Sequence, residues 1–289
     1  MAEVATSATP DQLLVVIDPV AREADGESVR IAKDVLGAGA ARMKLCLPEG
    51  PEEFARALRR RGSRRPVVVG DDRALLRAVA VLHRQRELAA CALAVVPVGA
   101  DLGLVRSLGV PAGAVAAARA ALDGTERRLD LLVDDSDGVV LGAVGIPPLD
   151  GPEAEGERAP KVPVRSWVRT CRSLVRTLTA ARPVRSARSV PLAGPGPARL
   201  RVEVDGRMLV DLDQPVAGVS LAPGDAGLAE VEVRPVSVGA EASPLTAAGR
   251  AVTVSGAHFR YRADAMVSGP VRTRTWVVRE GAWGLRLPG

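Results

Sequence analysis

Short runs of consecutive apolar residues, without polar alternation, are the feature that most constrains this fold. They occupy positions 13–17, 66–69 and 92–98. A strand is apolar at every position when both faces of its sheet are covered, which is typical of parallel sheets flanked by helices. Segments with apolar residues at helical spacing lie between or beside these runs, at 27–36, 51–61 and 74–88. The alternation predicts an α/β domain with a mainly parallel sheet over residues 1–146.

The chain changes character after this region. Residues 147–198 contain a loop rich in Pro, Gly and acids, followed by a basic segment with helical spacing. From residue 199 onward, short apolar runs alternate with turns of Gly, Pro and Asp. That pattern is typical of antiparallel sheets. We therefore expect a connecting loop and helix at 147–198 and an antiparallel β-sandwich domain at 199–289.

The composition excludes several classes of protein. Charged residues are 25% and hydrophobic residues 47% of the 289 positions, with a net charge of +5, which is typical of a globular chain. Aromatic residues make up only 2%, which is too few for a surface on which the bases of single-stranded nucleic acid stack. The three cysteines are far apart, and neither histidine accompanies a cysteine pair. We expect neither a disulfide framework nor a zinc site.

The basic segment of the connecting region has an amphipathic pattern. Apolar residues recur at helical spacing between positions 164 and 178, beside an arginine stripe formed by Arg165, Arg169, Arg172 and Arg176. One interpretation is contact with an anionic membrane surface, where each cation contributes about 1 kcal/mol. The other is a helix packed by its apolar face, with the arginines in solvent. No nucleic-acid-binding motif accompanies these cations, which disfavours a nucleic-acid partner.

The N-terminus has no basic segment followed by an apolar one, and nowhere does the sequence contain an apolar stretch of about 18 residues. These two features predict a cytoplasmic protein without a transmembrane anchor. The arginine stripe adds the alternative of peripheral membrane contact.

Several segments resemble the bacterial diacylglycerol kinase and lipid kinase family. The clearest is PVGADLGLVRSLGVP at 97–111, which is similar without gaps to the family's PLGTGNDFARSLGIP. In the same order, IDP at 17–19 is similar to the family's INP, VVVGDDR at 67–73 to VVVGGDGT, and RRLD at 127–130 to RRxDL. RAD at 262–264 resembles the approach to the family's late DGE motif.

The resemblance implies a nucleotide-binding α/β domain, a β-sandwich, and ATP-dependent phosphorylation of a lipid hydroxyl such as that of diacylglycerol. It implies a nucleotide site at Asp18, Gly70, Asp71, Asp72, Gly99 and Asp101. It also implies that Asp72 holds the Mg²⁺ of Mg·ATP and that Asp264 is catalytic, beside the acceptor. Structural interpretations stay open: glycines at strand-to-helix turns, Asp72 as a helix N-cap, Asp130 in a surface ion pair with Arg128, and Asp264 in a β-turn.

The sequence departs from the family at the positions that bind the ATP phosphates in the family. Of the family's GGDGT only Gly70 keeps its place, and Asp71, Arg73 and Ala74 occupy the positions of the second Gly, the third Gly and the Thr. In this register Asp72 is the family's acid, whereas a shift by one residue makes Asp71 that acid. Either register leaves an additional carboxylate beside the phosphates. At ~4 Å and an effective dielectric of ~20, that repulsion costs on the order of 4 kcal/mol.

The second loop and the base are also altered. The family's Thr-Gly-Asn-Asp is replaced at 100–103 by Ala-Asp-Leu-Gly, which loses an amide and a hydroxyl that hold the nucleotide. The acid that removes the proton of the lipid hydroxyl in the family falls at Met266, and a thioether cannot act as a base.

Two hypotheses follow from these departures. The first is a non-catalytic or strongly impaired relative with a binding or regulatory role and no cofactor. The second is an active kinase that uses Mg·ATP, with Mg²⁺ held by the carboxylates that remain, which are Asp72, Asp101, Asp130 and Asp264. An exposed sandwich edge would allow a homodimer in either case.

Overall fold

The first half of the described chain alternates strands and helices. The computed structural model describes residues 12–147, 197–224, 226–236 and 243–289. The elements before residue 124 are β1 (Gln12–Ile17), α1 (Pro19–Ala24), α2 (Gly26–Gly39), β2 (Arg42–Cys46), α3 (Pro51–Arg59), β3 (Arg65–Gly70), α4 (Asp72–Arg84), a 3₁₀ turn (Leu88–Ala90), β4 (Ala92–Pro97), α5 (Gly103–Ser107) and α6 (Ala114–Asp123). The predicted α/β class is confirmed.

The first four strands pair in parallel in the order β2-β1-β3-β4. The register between β1 and β3 runs from Leu13 opposite Arg65 to Ile17 opposite Val69, so the carboxyl ends of both strands lie at one edge. Every residue of β1 after Gln12 is buried, because α1, α3 and α4 pack against β1 and β3. Uninterrupted apolar runs suit such a covered sheet.

Local signals determine where the helices begin. The Asp18 carboxylate accepts a hydrogen bond from the Val20 amide at 3.0 Å, and Pro19 is the first helical residue of α1. The Asp18-Pro19 segment is therefore a helix N-terminus. Asp25 caps α2 in the same way, accepting from the Ser28 amide at 2.9 Å. Helix α5 has only five residues, too few to show a helical period, and no sequence pattern predicted it.

The second half of the described chain is almost entirely antiparallel. Its strands are β5 (Thr125–Asp134), β6 (Val139–Val140), β7 (Val144–Ile146), β8 (Ala198–Val204), β9 (Arg207–Val210), β10 (Pro215–Pro223), β11 (Ala229–Pro235), β12 (Leu245–Gly249), β13 (Ala251–Ala263) and β14 (Met266–Leu287). Alternate residues of β8 and β13, including Val202 and Val254, point into a core that also contains Tyr261 and Trp276. With these strands, the sheet as a whole is mostly antiparallel.

Strand β14 joins the two halves. It has 22 residues and pairs with β13 and β5 in antiparallel fashion, and then with β4 in parallel at Gly284 and Leu285. Trp276 lies in the core of the antiparallel half and Trp283 in the core around β1 to β4; both are fully buried. The division into domains at residues 146 and 199 stays a prediction, and strand pairing crosses it, since β7 pairs with β10 and β13.

The predicted connecting helix lies outside the described residues, and so do Arg165, Arg169, Arg172 and Arg176. Membrane contact through this arginine stripe therefore stays a prediction. In the described ranges, the helices lack the length or the apolar composition that a bilayer crossing requires.

Candidate functional site

The predicted nucleotide residues meet at the carboxyl edge of the parallel sheet. The Asp18 amide donates to the Val69 carbonyl at 2.9 Å, which joins the ends of β1 and β3. The Val98 amide donates to the Gly70 carbonyl at 3.0 Å, and the Asp72 amide to the Asp101 carbonyl at 2.9 Å. Because parallel strands end at the same edge, residues that are far apart in sequence form one cluster there.

The connection from β3 to α4 is a tight turn and not an open loop. Gly70 is the last residue of β3, and Asp72 is already the first residue of α4. Asp71 alone lies between them, and its carboxylate accepts a hydrogen bond from the Ala74 amide at 3.0 Å. The prediction of Asp72 as the N-cap is therefore wrong, since Asp71 is the N-cap. The N-terminus of α4 is closed by the protein's own carboxylate.

Gly70 has a packing role in this turn. A Cβ atom at Gly70 would lie 2.6 Å from the Ala74 Cβ and 3.1 Å from the Asp18 Cβ. Both distances are shorter than ordinary van der Waals contact, so the close approach of β3 to α4 requires glycine here. Gly99, after β4, has a φ of +137° and lies against Asp71, with an ideal Cβ 3.0 Å from the Asp71 Cβ. Both glycines thus serve strand-to-helix turns.

Asp72 ties α4 to α5. Its two carboxylate oxygens accept hydrogen bonds from the Leu104 amide at 2.8 Å and from the Val105 amide at 2.9 Å. Burial raises the pKa of the Asp72 carboxyl above its ordinary value; these two amides oppose the rise, and the charges of Asp71 and Asp101 add to it. Asp72 therefore caps the neighbouring helix and does not cap its own.

Asp264 occupies the turn between β13 and β14. Its carboxylate accepts three backbone hydrogen bonds, from Leu141 at 2.9 Å, Gly142 at 2.7 Å and Ala143 at 3.0 Å. Its backbone φ of +49° lies in the left-handed region, which Asp tolerates in turns. Burial raises the pKa of the Asp264 carboxyl, the three amides lower it, and the charge of Asp72 raises it again.

Asp72 and Asp264 approach each other around Gly142. A Cβ atom at Gly142 would lie 2.9 Å from an Asp264 carboxylate oxygen and 3.0 Å from a Leu104 side-chain carbon. The Leu104 amide in turn donates to Asp72. Asp72 and Asp264 thus lie in one cluster, with amide donors on both carboxylates, and their roles as metal ligand and catalytic residue stay predictions.

Asp18 is paired with an arginine that the sequence did not single out as its partner. Arg77 of α4 donates from Nη1 to the Asp18 Oδ2 at 2.5 Å, and its guanidinium lies over the Phe54 ring at 5.3 Å from the centroid. The Asp18 side chain is 3% exposed, so this ion pair neutralises a buried charge. No local pattern predicts the pair, since 59 positions separate its members.

The rim of the cluster is exposed. Asp101 forms an ion pair with Arg73 at 3.6 Å, and both side chains are more than half exposed. Met266 is the first residue of β14, and 65% of its surface is exposed. An exposed thioether therefore stands where the resemblance places the proton-accepting acid.

Asp130 is not part of this cluster's ion pairing. Its carboxylate accepts from the Gly227 amide at 3.0 Å and from the Gly281 amide at 2.7 Å. Arg128 instead pairs with Glu126 at 3.2 Å. The predicted Asp130–Arg128 surface pair is therefore wrong. Asp130 instead holds the turn at Gly227 and the irregular part of β14 at Gly281.

Comparison with known proteins adds a structural match. No protein-family model matches the chain, and no curated protein matches its sequence. A solved structure from Bacillus anthracis str. Sterne, described as "a putative diacylglycerol kinase", has a TM-score of 0.69 at 13% identity, covering 96% of this chain and 97% of that one. A second from the same organism, described as a diacylglycerol kinase, has a TM-score of 0.66 at 13% identity, with the same coverage. The chain has the diacylglycerol kinase fold.

The resemblance to the diacylglycerol kinases is thus confirmed as a likeness of fold over nearly the whole length. At this identity, conclusions about chemistry depend on the residues themselves. Those residues are held by the backbone: each carboxylate oxygen of Asp72 and Asp264 accepts at least one amide, so a Mg²⁺ ion would have to share these oxygens with the amides. No group of three or more metal-ligating side chains occurs in the described part of the chain.

The turn at Asp71 presents acids to an incoming phosphate. Free amides at a helix N-terminus are where a phosphate gains backbone hydrogen bonds. At the start of α4 the Asp71 carboxylate accepts from the Ala74 amide, and the buried carboxylates of Asp71 and Asp72 repel a further anion.

Proposed function

We propose that this chain is a non-catalytic relative of the diacylglycerol kinases with a binding or regulatory role. Its first four strands form a parallel sheet flanked by helices, and the remaining described strands pair almost entirely in antiparallel fashion. The observation that carries the proposal is the Asp71 carboxylate on the Ala74 amide at the N-terminus of α4. A phosphate at that position would have to displace Asp71 and lie beside a second buried acid.

The exposed base position supports the same proposal. Phosphoryl transfer relies on positioned phosphates, a metal and an oriented nucleophile. The described residues supply no open phosphate loop, and Met266 supplies no proton acceptor. These are independent losses, so restoring one of them is not sufficient for activity.

A second candidate is an active lipid kinase. The approach of Asp72 to Asp264 favours it, because two carboxylates on either side of a reaction centre are useful in metal-assisted transfer. On this hypothesis Mg·ATP binding opens the turn and releases Asp72 from the amides of Leu104 and Val105. The kinase and the non-catalytic relative differ in one measurable property, the affinity for Mg·ATP.

Thermal unfolding with and without Mg·ATP tests the proposal. A ligand at about 100 times its Kd stabilises the native state by about 2.7 kcal/mol, which raises the Tm of a domain of this size by several degrees. We expect no Mg²⁺-dependent rise in Tm at millimolar ATP. A rise that requires both Mg²⁺ and ATP, followed by phosphate transfer to diacylglycerol in mixed micelles, would overturn the proposal in favour of the kinase.

A variant with the family's residues restored is the matched control. It carries Asp71→Gly, Arg73→Gly, Ala74→Thr and Met266→Glu, and circular dichroism checks that it folds. We expect this variant to gain a Mg·ATP-dependent rise in Tm that the natural chain lacks. If the folded variant binds Mg·ATP no better than the natural chain, the substituted turn is not what closes the site.

A further inference from the structure

A basic cavity lies between α3 and α4, on the side of the sheet that these two helices share. Its volume is about 430 Å³. Arg56 and Arg59 line it from α3, and Arg77 and Arg84 line it from α4. The spacings of three and seven residues place each pair on one face of its helix. We call this cavity the arginine groove.

The charge of the arginine groove is unbalanced. Four guanidinium groups line it, against one carboxylate, that of Glu52. Arg77 is neutralised by Asp18 beneath it. The side chains of Arg56, Arg59 and Arg84 make no hydrogen bond or ion pair with any residue in the described ranges. Like charges on two facing helices repel, and an anion between them removes that repulsion.

Some arginines near the groove do have an acid partner. Arg61, just after α3, is paired with Glu87 at 2.9 Å, and Arg30 on α2 is paired with Glu27 at 2.6 Å. The groove differs from these places because several guanidinium groups converge there on one cavity with a single carboxylate. A basic surface that only maintains solubility does not require guanidinium groups to converge on a cavity.

One member of the groove is already held in place. Arg77 lies between the Asp18 carboxylate and the Phe54 ring, which restrict its guanidinium. Among the described residues its hydrogen bond uses Nη1, which leaves donors on Nε and Nη2 for a ligand. A preorganised guanidinium loses less entropy when it binds an anion. Ala55 and Val81 add an apolar floor, as in small-molecule sites.

We propose that the arginine groove binds a phosphorylated ligand through its phosphate group. Guanidinium groups bind phosphate oxygens through paired N–H donors, and several of them together select a dianion over a monoanion. The volume accommodates a small phosphate ester or the headgroup of a phospholipid. This site is separate from the turn at Asp71, where the protein's own acid occupies the helix N-terminus.

Calorimetric titration with inorganic pyrophosphate, at constant ionic strength set by NaCl, tests the groove. The variant Arg56→Gln/Arg84→Gln removes two exposed, unpaired guanidinium groups. The matched control is Arg119→Gln/Arg207→Gln, which removes the same charge from exposed arginines on α6 and β9. We expect saturable binding to the natural chain, a loss of at least tenfold in the groove variant and a change of less than twofold in the control.

Vesicles identify the source of the phosphate. Sedimentation with phosphatidylcholine vesicles that contain phosphatidic acid measures binding to a lipid headgroup. Titration with pyrophosphate measures binding to a free phosphate. Groove-dependent binding of either probe supports the proposal and assigns the source. No saturable binding of either probe, or equal losses in both variants, would overturn it, because charge alone would then explain the attraction.

The Mg·ATP experiment is repeated in the groove variant. A Tm rise that persists in Arg56→Gln/Arg84→Gln comes from the turn at Asp71, and one that disappears comes from the groove. The experiment therefore shows which of the two proposals fails, the non-catalytic function or phosphate binding in the arginine groove.

Discussion

Buried carboxylates define this molecule at the scale of single residues. Asp18, Asp71 and Asp72 are buried and Asp264 is partly buried, and each of the four accepts at least one backbone amide. Carboxylates that accept several amides are held as firmly as bound anions. An intramolecular acid has a high effective concentration, so a free phosphate competes with it poorly.

The stability contributed by Asp72 should depend on pH in an unusual direction. Its pKa is raised in the folded protein, chiefly by burial, so the folded state holds the proton more tightly than the unfolded state. The stabilisation is complete below the ordinary carboxyl pKa of 3.8 and is lost as the pH rises through the folded value. We expect the stability advantage of the natural chain over Asp72→Asn to shrink between about pH 3 and pH 6.5 in urea unfolding.

Asp25→Asn is the control with the opposite sign. Hydrogen bonds from Ser28 lower the pKa of Asp25, so its stabilisation is present above the ordinary carboxyl pKa and is lost as the pH falls. If the stability advantage of the natural chain over Asp72→Asn instead grew with pH, the amides of Leu104 and Val105 would have a larger effect than burial on the pKa of Asp72.

The sequence was enough to single out these acidic residues, but it did not predict which groups they hydrogen-bond. The resemblance found Asp72 and Asp264, and the structure brings them together. It could not find that Asp71 is the N-cap, because a one-residue shift leaves the pattern of acids unchanged. Nor could it find the amides that bind Asp264, because Leu141 is 123 positions away and backbone donors leave no trace in a sequence.

At the scale of elements, an ion pair adds to the apolar packing of α4 against the sheet. Arg77 reaches from the second turn of α4 to Asp18 at the end of β1, and Phe54 of α3 supports its guanidinium. The pair therefore joins three elements of the α/β half. The helical period predicted α4 and its apolar face, but the strand-to-helix register depended on the packing of Gly70 against Ala74.

Removing Arg77 should destabilise the protein because it leaves Asp18 buried and unpaired. Breaking a buried pair costs about 3–5 kcal/mol, and the partial exposure of Arg77 reduces our expectation for Arg77→Leu to about 2 kcal/mol. Adding Asp18→Asn removes the unpaired charge and keeps the cap on α1, so the double variant should recover most of the loss. Urea unfolding of the natural chain, both single variants and the double variant measures the coupling.

Arg73→Leu is the comparison for the Arg77 experiment. Its ion pair with Asp101 is exposed, and its loss should change the free energy of unfolding by less than about 1 kcal/mol. Equal effects of Arg73→Leu and Arg77→Leu would contradict a structural role for the Asp18 pair.

At the scale of the whole molecule, β14 makes the two cores depend on each other. One strand contributes Trp276 to the antiparallel core and Trp283 to the core around the parallel sheet. The sequence predicted only short strands in this region, separated by turns. Gly269, Pro270 and Gly281 interrupt the apolar pattern of β14, so the sequence suggested several short strands where pairing with β13 and β5 holds one long strand together.

The two cores should unfold in a single transition. The chain has three tryptophans, and replacing the third, Trp167, by Phe in every variant leaves a single reporter. In this background Trp283→Phe leaves Trp276 as the reporter of one core, and Trp276→Phe leaves Trp283 as the reporter of the other. We expect the fluorescence midpoint in urea to coincide with the far-ultraviolet circular dichroism midpoint in each variant. Separate midpoints would support two independent domains, divided as the sequence predicted at residues 146 and 199.

The pairing of β14 with β4 also sets the order in which the chain can fold. Gly284 pairs with Ala92, about 190 residues earlier, so one side of β4 stays open until nearly the whole chain is present. Closing so long a loop slows folding, and an open strand edge invites pairing with other chains. Strand β14 therefore covers the aggregation-prone edge of β4 only at the end of synthesis. We expect a nascent chain that lacks β14 to bind chaperones.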